Sequence, residues 1–170
     1  MRKSLIILGS TGSIGKSILN VIRKNKANHK VELLTTNNNI NRILNQATEF
    51  KVKNVIIFNK KKFIKYKLLF KIKKINVFFN IEDFLKKFKK KVFYTINAIS
   101  GISGLEPSLK IIKYSENIAI ANKESIICGW KFICKELKKN KTNFIPIDSE
   151  HFSIWSLLKS EKLNNINKIY

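Results

Sequence analysis

Eleven acidic residues, three arginines, two cysteines, two prolines and one methionine are all that this chain of 170 residues contains of those types. Each scarcity excludes something. Two cysteines cannot build a disulfide scaffold. Cys128 and Cys134 stand six apart on one expected helix, so they face different ways and cannot bridge there; reduced thiols are expected. Few prolines and six glycines leave no linker, repeat or low-complexity segment. No apolar run approaches the ~18–20 residues needed to span a bilayer. The first such run, Leu5 to Leu8, is too short for the core of a signal peptide and breaks at Gly9-Ser10-Thr11-Gly12. A cytoplasmic protein without a membrane partner is expected.

The scarce acids face 34 basic residues, for a formal net charge of +23. Clustered positive charge suits nucleic acid. However, 31 of those bases are lysine, and lysine, isoleucine, asparagine and phenylalanine together fill 91 positions. All four have AT-rich codons, so base composition accounts for lysine on solvated faces. Specific nucleic-acid sites favour the bidentate geometry of arginine, and no specific nucleic-acid partner is expected.

Short apolar runs alternate with longer amphipathic segments. Strands are expected at Ser4–Gly9, Val31–Thr36, Asn54–Phe58, Ile75–Phe79, Val92–Ile99, Asn117–Ala121 and Asn143–Ile147. Helices are expected at Ile14–Lys26, Ile40–Phe50, Lys60–Lys73, Ile81–Lys90, Leu105–Tyr114 and Glu124–Lys139. This alternation predicts an α/β fold, a doubly wound, mostly parallel sheet with helices on both faces. After Ile147 the pattern changes. Residues 1–147 are read as one domain and 148–170 as the start of a second.

Three blocks carry chemistry. Gly9-Ser10-Thr11-Gly12-Ser13-Ile14-Gly15 joins the first strand to the first helix, the setting of a dinucleotide-binding turn. Gly9 serves the tight turn, Gly12 the approach of backbone N–H groups to a pyrophosphate, and Gly15 close helix packing. Ser10, Thr11 and Ser13 are read as added hydroxyl donors. An NAD site places a carboxylate at the end of the second strand. Asn37, Asn38 and Asn39 stand there instead, with Arg42 beyond, which suits NADP; the alternative is a plain polar turn. The second block, Ala121-Asn122-Lys123-Glu124-Ser125, places Asn122 and Lys123 at a strand end. Asn122 is either a cofactor contact or a helix cap. The third is Pro146-Ile147-Asp148-Ser149-Glu150-His151. In extended backbone Asp148 and Glu150 project to one side, as a hard divalent cation requires; the alternative is acidic capping of a following helix.

In this order and spacing the three blocks, with Asn97-Ala98-Ile99-Ser100-Gly101-Ile102-Ser103-Gly104-Leu105, resemble the 1-deoxy-D-xylulose 5-phosphate reductoisomerase family over essentially the whole chain. The resemblance implies a Rossmann-like NADPH domain. It also implies NADPH- and Mg²⁺- or Mn²⁺-dependent conversion of a phosphosugar, 1-deoxy-D-xylulose 5-phosphate, to 2-C-methyl-D-erythritol 4-phosphate in isoprenoid biosynthesis. By resemblance, Thr11, Gly12, Ser13, Ile14, Asn122 and Glu124 line the cofactor; Gly9, Asn37, Asn38 and Asn39 join them by their place after the first and second strands. Lys123, Ser149 and Glu150 are implied to serve substrate and catalysis, and Asp148 and Glu150 the metal. Family members are homodimers.

Two departures stand out. The family's Gly-Lys-Asn turn is Asn37-Asn38-Asn39 here, which leaves Arg42 to face a 2′-phosphate. The family chain is also more than twice as long, and its later part supplies further metal and phosphate ligands. This polypeptide alone is therefore expected to leave the metal site incomplete. The remaining alternatives are an inactive NADPH-binding remnant or a basic nucleic-acid-binding protein.

Overall fold

A computed structural model describes residues 2–158 and Lys168. Seven strands form one sheet: β1 (Lys3–Leu8), β2 (His29–Thr36), β3 (Asn54–Ile57), β4 (Asn76–Phe78), β5 (Val92–Asn97), β6 (Ser115–Ile120) and β7 (Asn143–Pro146). Their order is β4-β3-β2-β1-β5-β6-β7, and every described pairing is parallel. Among the described residues seven α-helices connect or follow them: α1 (Ser13–Lys24), α2 (Ile40–Glu49), α3 (Lys60–Ile72), α4 (Ile81–Lys87), α5 (Leu105–Ile111), α6 (Lys123–Asn140) and α7 (Ser149–Leu158). The expected α/β class is what is found, with the sheet parallel throughout.

Side-chain alternation along β1 builds two cores. Leu5 and Ile7 face one side, with Leu34, Val55, Leu19 and Ile22 of α1, Ile43 of α2 and Phe70 of α3. Ile6 and Leu8 face the other, with Leu33, Ile56, Phe84 of α4, Ile111 of α5 and Ile126 and Ile133 of α6. Strands buried on both faces read as unbroken apolar runs, which is why they were visible in the sequence.

Several helices end earlier than their patterns suggest. Beyond α4 the backbone turns extended at Phe88, whose ring stacks on Phe84 at 4.9 Å between centroids. Beyond α5 the chain tightens into a 3₁₀ turn over Ile112–Tyr114 that buries Ile112. Helix α3 buries only Phe70; Ile64, Leu68 and Ile72 stay exposed among its lysines. Among the described residues no helix is long and apolar enough to cross a membrane. Both cysteines are unpaired.

The chain winds outward from β1 to β4 and then returns to lay β5 against the other edge of β1. That reversal is a topological switch point, and the ligands of such sheets lie beyond the carboxyl ends of the strands that flank it, here β1 and β5. The first sequence block and the Asn97–Leu105 segment meet there.

Candidate functional site

Leu8 and Asn97 are register partners at the ends of β1 and β5. Gly9 follows with φ +77°, and a Cβ on it would lie 2.6 Å from the Ala98 carbonyl oxygen. A Cβ on Gly15 would lie 2.4 Å from the Gly9 carbonyl oxygen. The turn and α1 therefore approach more closely than any side chain allows. Gly12 differs. Its backbone is ordinary and extended, with φ −74° and ψ 178°, and a Cβ there would meet nothing nearer than 3.5 Å. The fold itself does not require glycine at position 12.

Gly12, Ser13 and Ile14 are exposed at the start of α1. No side chain caps this end and no acid lies in its first turn. The Gly12 N–H donates to the Gly9 carbonyl at 3.1 Å, and the first-turn N–H groups that follow it are exposed together with the positive end of the helix dipole. A helix start of this kind can hold an anion with backbone alone.

Ser10 departs from the reading as a ligand donor. It is fully buried. Its hydroxyl donates to Gln46 Oε1 at 2.9 Å, and Gln46 Nε2 returns a bond to the Ser10 carbonyl at 2.9 Å. Thr11 Oγ1 stands 2.8 Å from Thr36 Oγ1, so it ties the turn to the end of β2.

Asn37, Asn38 and Asn39 lie exposed after β2. Asn39 caps α2, accepting from the Arg42 N–H at 3.1 Å, and its own N–H donates to Thr36 Oγ1 at 3.2 Å. The Arg42 guanidinium reaches back to the Thr11 carbonyl at 3.3 Å. From the other side, Lys62 Nζ donates to the Asn38 carbonyl at 2.7 Å and Asn59 Nδ2 to Asn38 Oδ1 at 2.9 Å. Lys62 was not singled out in the sequence, where it stands among Lys60, Lys61 and Lys65.

The second and third blocks meet at the starts of α6 and α7. Asn122 holds the N-cap position of α6 without capping it. Its amide instead donates to the Gly101 carbonyl and to Ser125 Oγ, both at 2.7 Å. Gly104 makes room for it, since a Cβ there would come within 2.4 Å of Asn122 Nδ2. Glu124 lies exposed in the first turn of α6.

Asp148 and Glu150 do not project from extended backbone. Helix α7 begins at Ser149, and buried Asp148 accepts from the His151 N–H at 3.0 Å through Oδ1, the bond of a capping aspartate. The same oxygen is 2.6 Å from His151 Nδ1. Capping, the other reading of this block, is what the backbone adopts. Glu150 turns to Lys123, with Nζ to Oε1 2.9 Å, and accepts from the Ser149 hydroxyl at 2.8 Å.

Two buried side-chain atoms lack a hydrogen-bond partner among the described residues: Asn122 Oδ1 and Asp148 Oδ2. Leaving a buried acceptor unpaired costs about 1–3 kcal/mol. Both belong to the blocks singled out above, and each is an acceptor that a bound group could satisfy. A free carboxylate oxygen suits a hard, oxygen-seeking cation. The described residues hold no cluster of three or more metal-ligating side chains.

The hydrogen bond from Lys123, and secondarily the one from Ser149, pulls Glu150 down to about 2. The same bond raises Lys123. A depressed carboxylate contributes stability above its unfolded value of about 4.5, lost as pH falls through about 2. Carboxyl NMR titration is expected to show Glu150 still ionised at pH 3. In Lys123→Ala its midpoint should rise toward 4.5.

A parallel doubly wound sheet with an uncapped helix at its switch point defines a Rossmann-like domain. A family model described as 1-deoxy-D-xylulose 5-phosphate reductoisomerase matches residues 5–129. The reductoisomerase of Pelagibacter ubique is 52% identical over 170 residues, covering 99% of this chain and 44% of that relative. The Zymomonas mobilis enzyme, solved with NADPH, superposes with a TM-score of 0.80 at 26% identity, over 89% of this chain and 40% of that one. A reductoisomerase solved with NADPH, fosmidomycin and magnesium gives 0.82 at 28% identity, over 91% and 38%. The chain belongs to the 1-deoxy-D-xylulose 5-phosphate reductoisomerase family, and spans about 44% of the length of that first relative.

Proposed function

We propose that this chain is the NADPH-binding part of an enzyme that rearranges and reduces 1-deoxy-D-xylulose 5-phosphate to 2-C-methyl-D-erythritol 4-phosphate. Residues 1–147 form the dinucleotide domain, and 148–170 begin the catalytic portion. The observation that carries this reading is the bare start of α1, where Gly12 is glycine although its own surroundings tolerate a side chain. A pyrophosphate lying against that backbone explains the residue.

A bound cofactor would lie at the switch point. N–H groups of Ser13 and Ile14 would bind its phosphates; the Gly12 N–H donates to the Gly9 carbonyl at 3.1 Å, so Gly12 serves by leaving space, and Gly9 and Thr11 shape the turn beneath. Asn37, Asn38 and Asn39 border its adenosine ribose, and Asn122 and Glu124 face the nicotinamide end. Asn122 Oδ1, buried and unpaired, is available to a carboxamide N–H. Asp148 and Glu150 would hold Mg²⁺ or Mn²⁺, which when bound polarises the substrate's oxygens. Lys123 and Ser149 offer an ammonium and a hydroxyl to the substrate beside them. Water and substrate oxygens would complete the shell of such an ion.

Titration of the purified chain with NADPH, followed by nucleotide fluorescence, tests the reading. Saturable one-to-one binding at roughly micromolar to submillimolar concentration is expected, in the range enzymes keep for their substrates. Absence of saturation to several millimolar would overturn it.

A further inference from the structure

We infer that Lys62, reaching from α3 to the loop after β2, acts with Arg42 to select a 2′-phosphorylated dinucleotide over its unphosphorylated counterpart. The inference rests on the NADPH reading and goes beyond it, since it assigns the selection to a residue of another helix.

In a doubly wound sheet the adenosine ribose lies at the carboxyl end of β2, where a carboxylate reads a 2′-hydroxyl and a cation reads a 2′-phosphate. Among the described residues no carboxylate is bonded to the loop at this edge. Between Glu32 and Glu82 the chain has one acid, Glu49, and it is paired with Arg23 and Lys26. Glu32 itself lies within β2, 2.7 Å from Lys30. Two cations bracket the loop instead. Arg42 lies on its inner side, bonded to the Thr11 carbonyl. Lys62 lies on the outer side, bonded to the Asn38 carbonyl at 2.7 Å.

The placement of Lys62 is built rather than incidental. β3 pairs with β2 so that Thr36 and Ile57 are partners, which brings the start of α3 beside the loop. Asn59 caps α3 through the Lys62 N–H at 3.0 Å and anchors Asn38 through its amide nitrogen. One asparagine therefore fixes both the loop and the helix turn that carries the lysine. Asn38, Asn39, Lys62 and Tyr66 line an open hollow of about 390 Å³. An ammonium on a flexible stem, held by one carbonyl, can exchange that carbonyl for a phosphate oxygen with little movement.

The test compares NADPH, NADH, 2′,5′-ADP and 5′-AMP binding to the wild-type chain, Lys62→Gln and Lys62→Arg, by calorimetry, with thermal unfolding as a fold control. Wild type should prefer NADPH over NADH and 2′,5′-ADP over 5′-AMP. Lys62→Gln should weaken NADPH and 2′,5′-ADP about tenfold, leave NADH and 5′-AMP unchanged, and unfold at the wild-type temperature. Lys62→Arg should restore most of the preference. Equal weakening of phosphorylated and unphosphorylated ligands, or no weakening of either, would overturn the inference. Wild-type binding of all four ligands without preference would overturn it while leaving the dinucleotide reading intact. Binding of none would remove both.

Discussion

Replacing Gly12 by aspartate is expected to weaken NADPH binding at least a hundredfold without destabilising the fold. The two effects separate because they act on different neighbours. Within the protein, position 12 has extended backbone and room for a Cβ. Aspartate is also a better helix cap than glycine by a few tenths of a kcal/mol, and its charge suits the dipole of α1. The unfolding midpoint should therefore stay level or rise slightly. Toward a ligand the same side chain would fill the space against the N–H groups and set a negative charge where the phosphates are proposed to lie. A hundredfold loss corresponds to about 2.7 kcal/mol, a plausible sum for one displaced contact and one repulsion in an anion cradle. Fluorescence titration beside urea unfolding measures both. Loss of stability with retained affinity would reverse the argument.

Gly9→Val should do the opposite and strike the fold. At φ +77° a β-branched residue is strained by roughly 1–3 kcal/mol. Its Cβ would also sit 2.6 Å from the Ala98 carbonyl oxygen, so β1 and β5 must part at the centre of the sheet. A total loss of about 3 kcal/mol or more is expected, a large fraction of the ~5–15 kcal/mol that holds most domains together. For a chain of this size that lowers the melting temperature by roughly 6–12 °C. A midpoint within a degree of wild type would contradict the close approach of turn and strand.

The elements themselves were legible because each strand is a short apolar run buried on both faces, and each run is followed by a helix-length segment. The turn was legible because Gly9 and Gly15 answer to local geometry that only glycine satisfies. What escaped depends on partners distant in the chain. Ser10 reads as a ligand donor until Gln46, on α2, claims its hydroxyl. Asp148 and Glu150 read as neighbours on an extended strand; only with α7 starting at Ser149 does one become a cap and the other turn to Lys123. Lys62 was hidden by its surroundings: in a helix with many lysines, nothing local marks the one that strand pairing carries to the loop after β2.

The anion cradle at the start of α1 is the claim on which the functional reading turns, and backbone amide NMR tests it most directly. On titration of the ¹⁵N-labelled chain with NADPH, the N–H signals of Gly12, Ser13 and Ile14 should shift most and saturate along one isotherm. Saturable binding that leaves these three signals in place, with shifts confined to the lysines of α3 or to other surfaces, would contradict it.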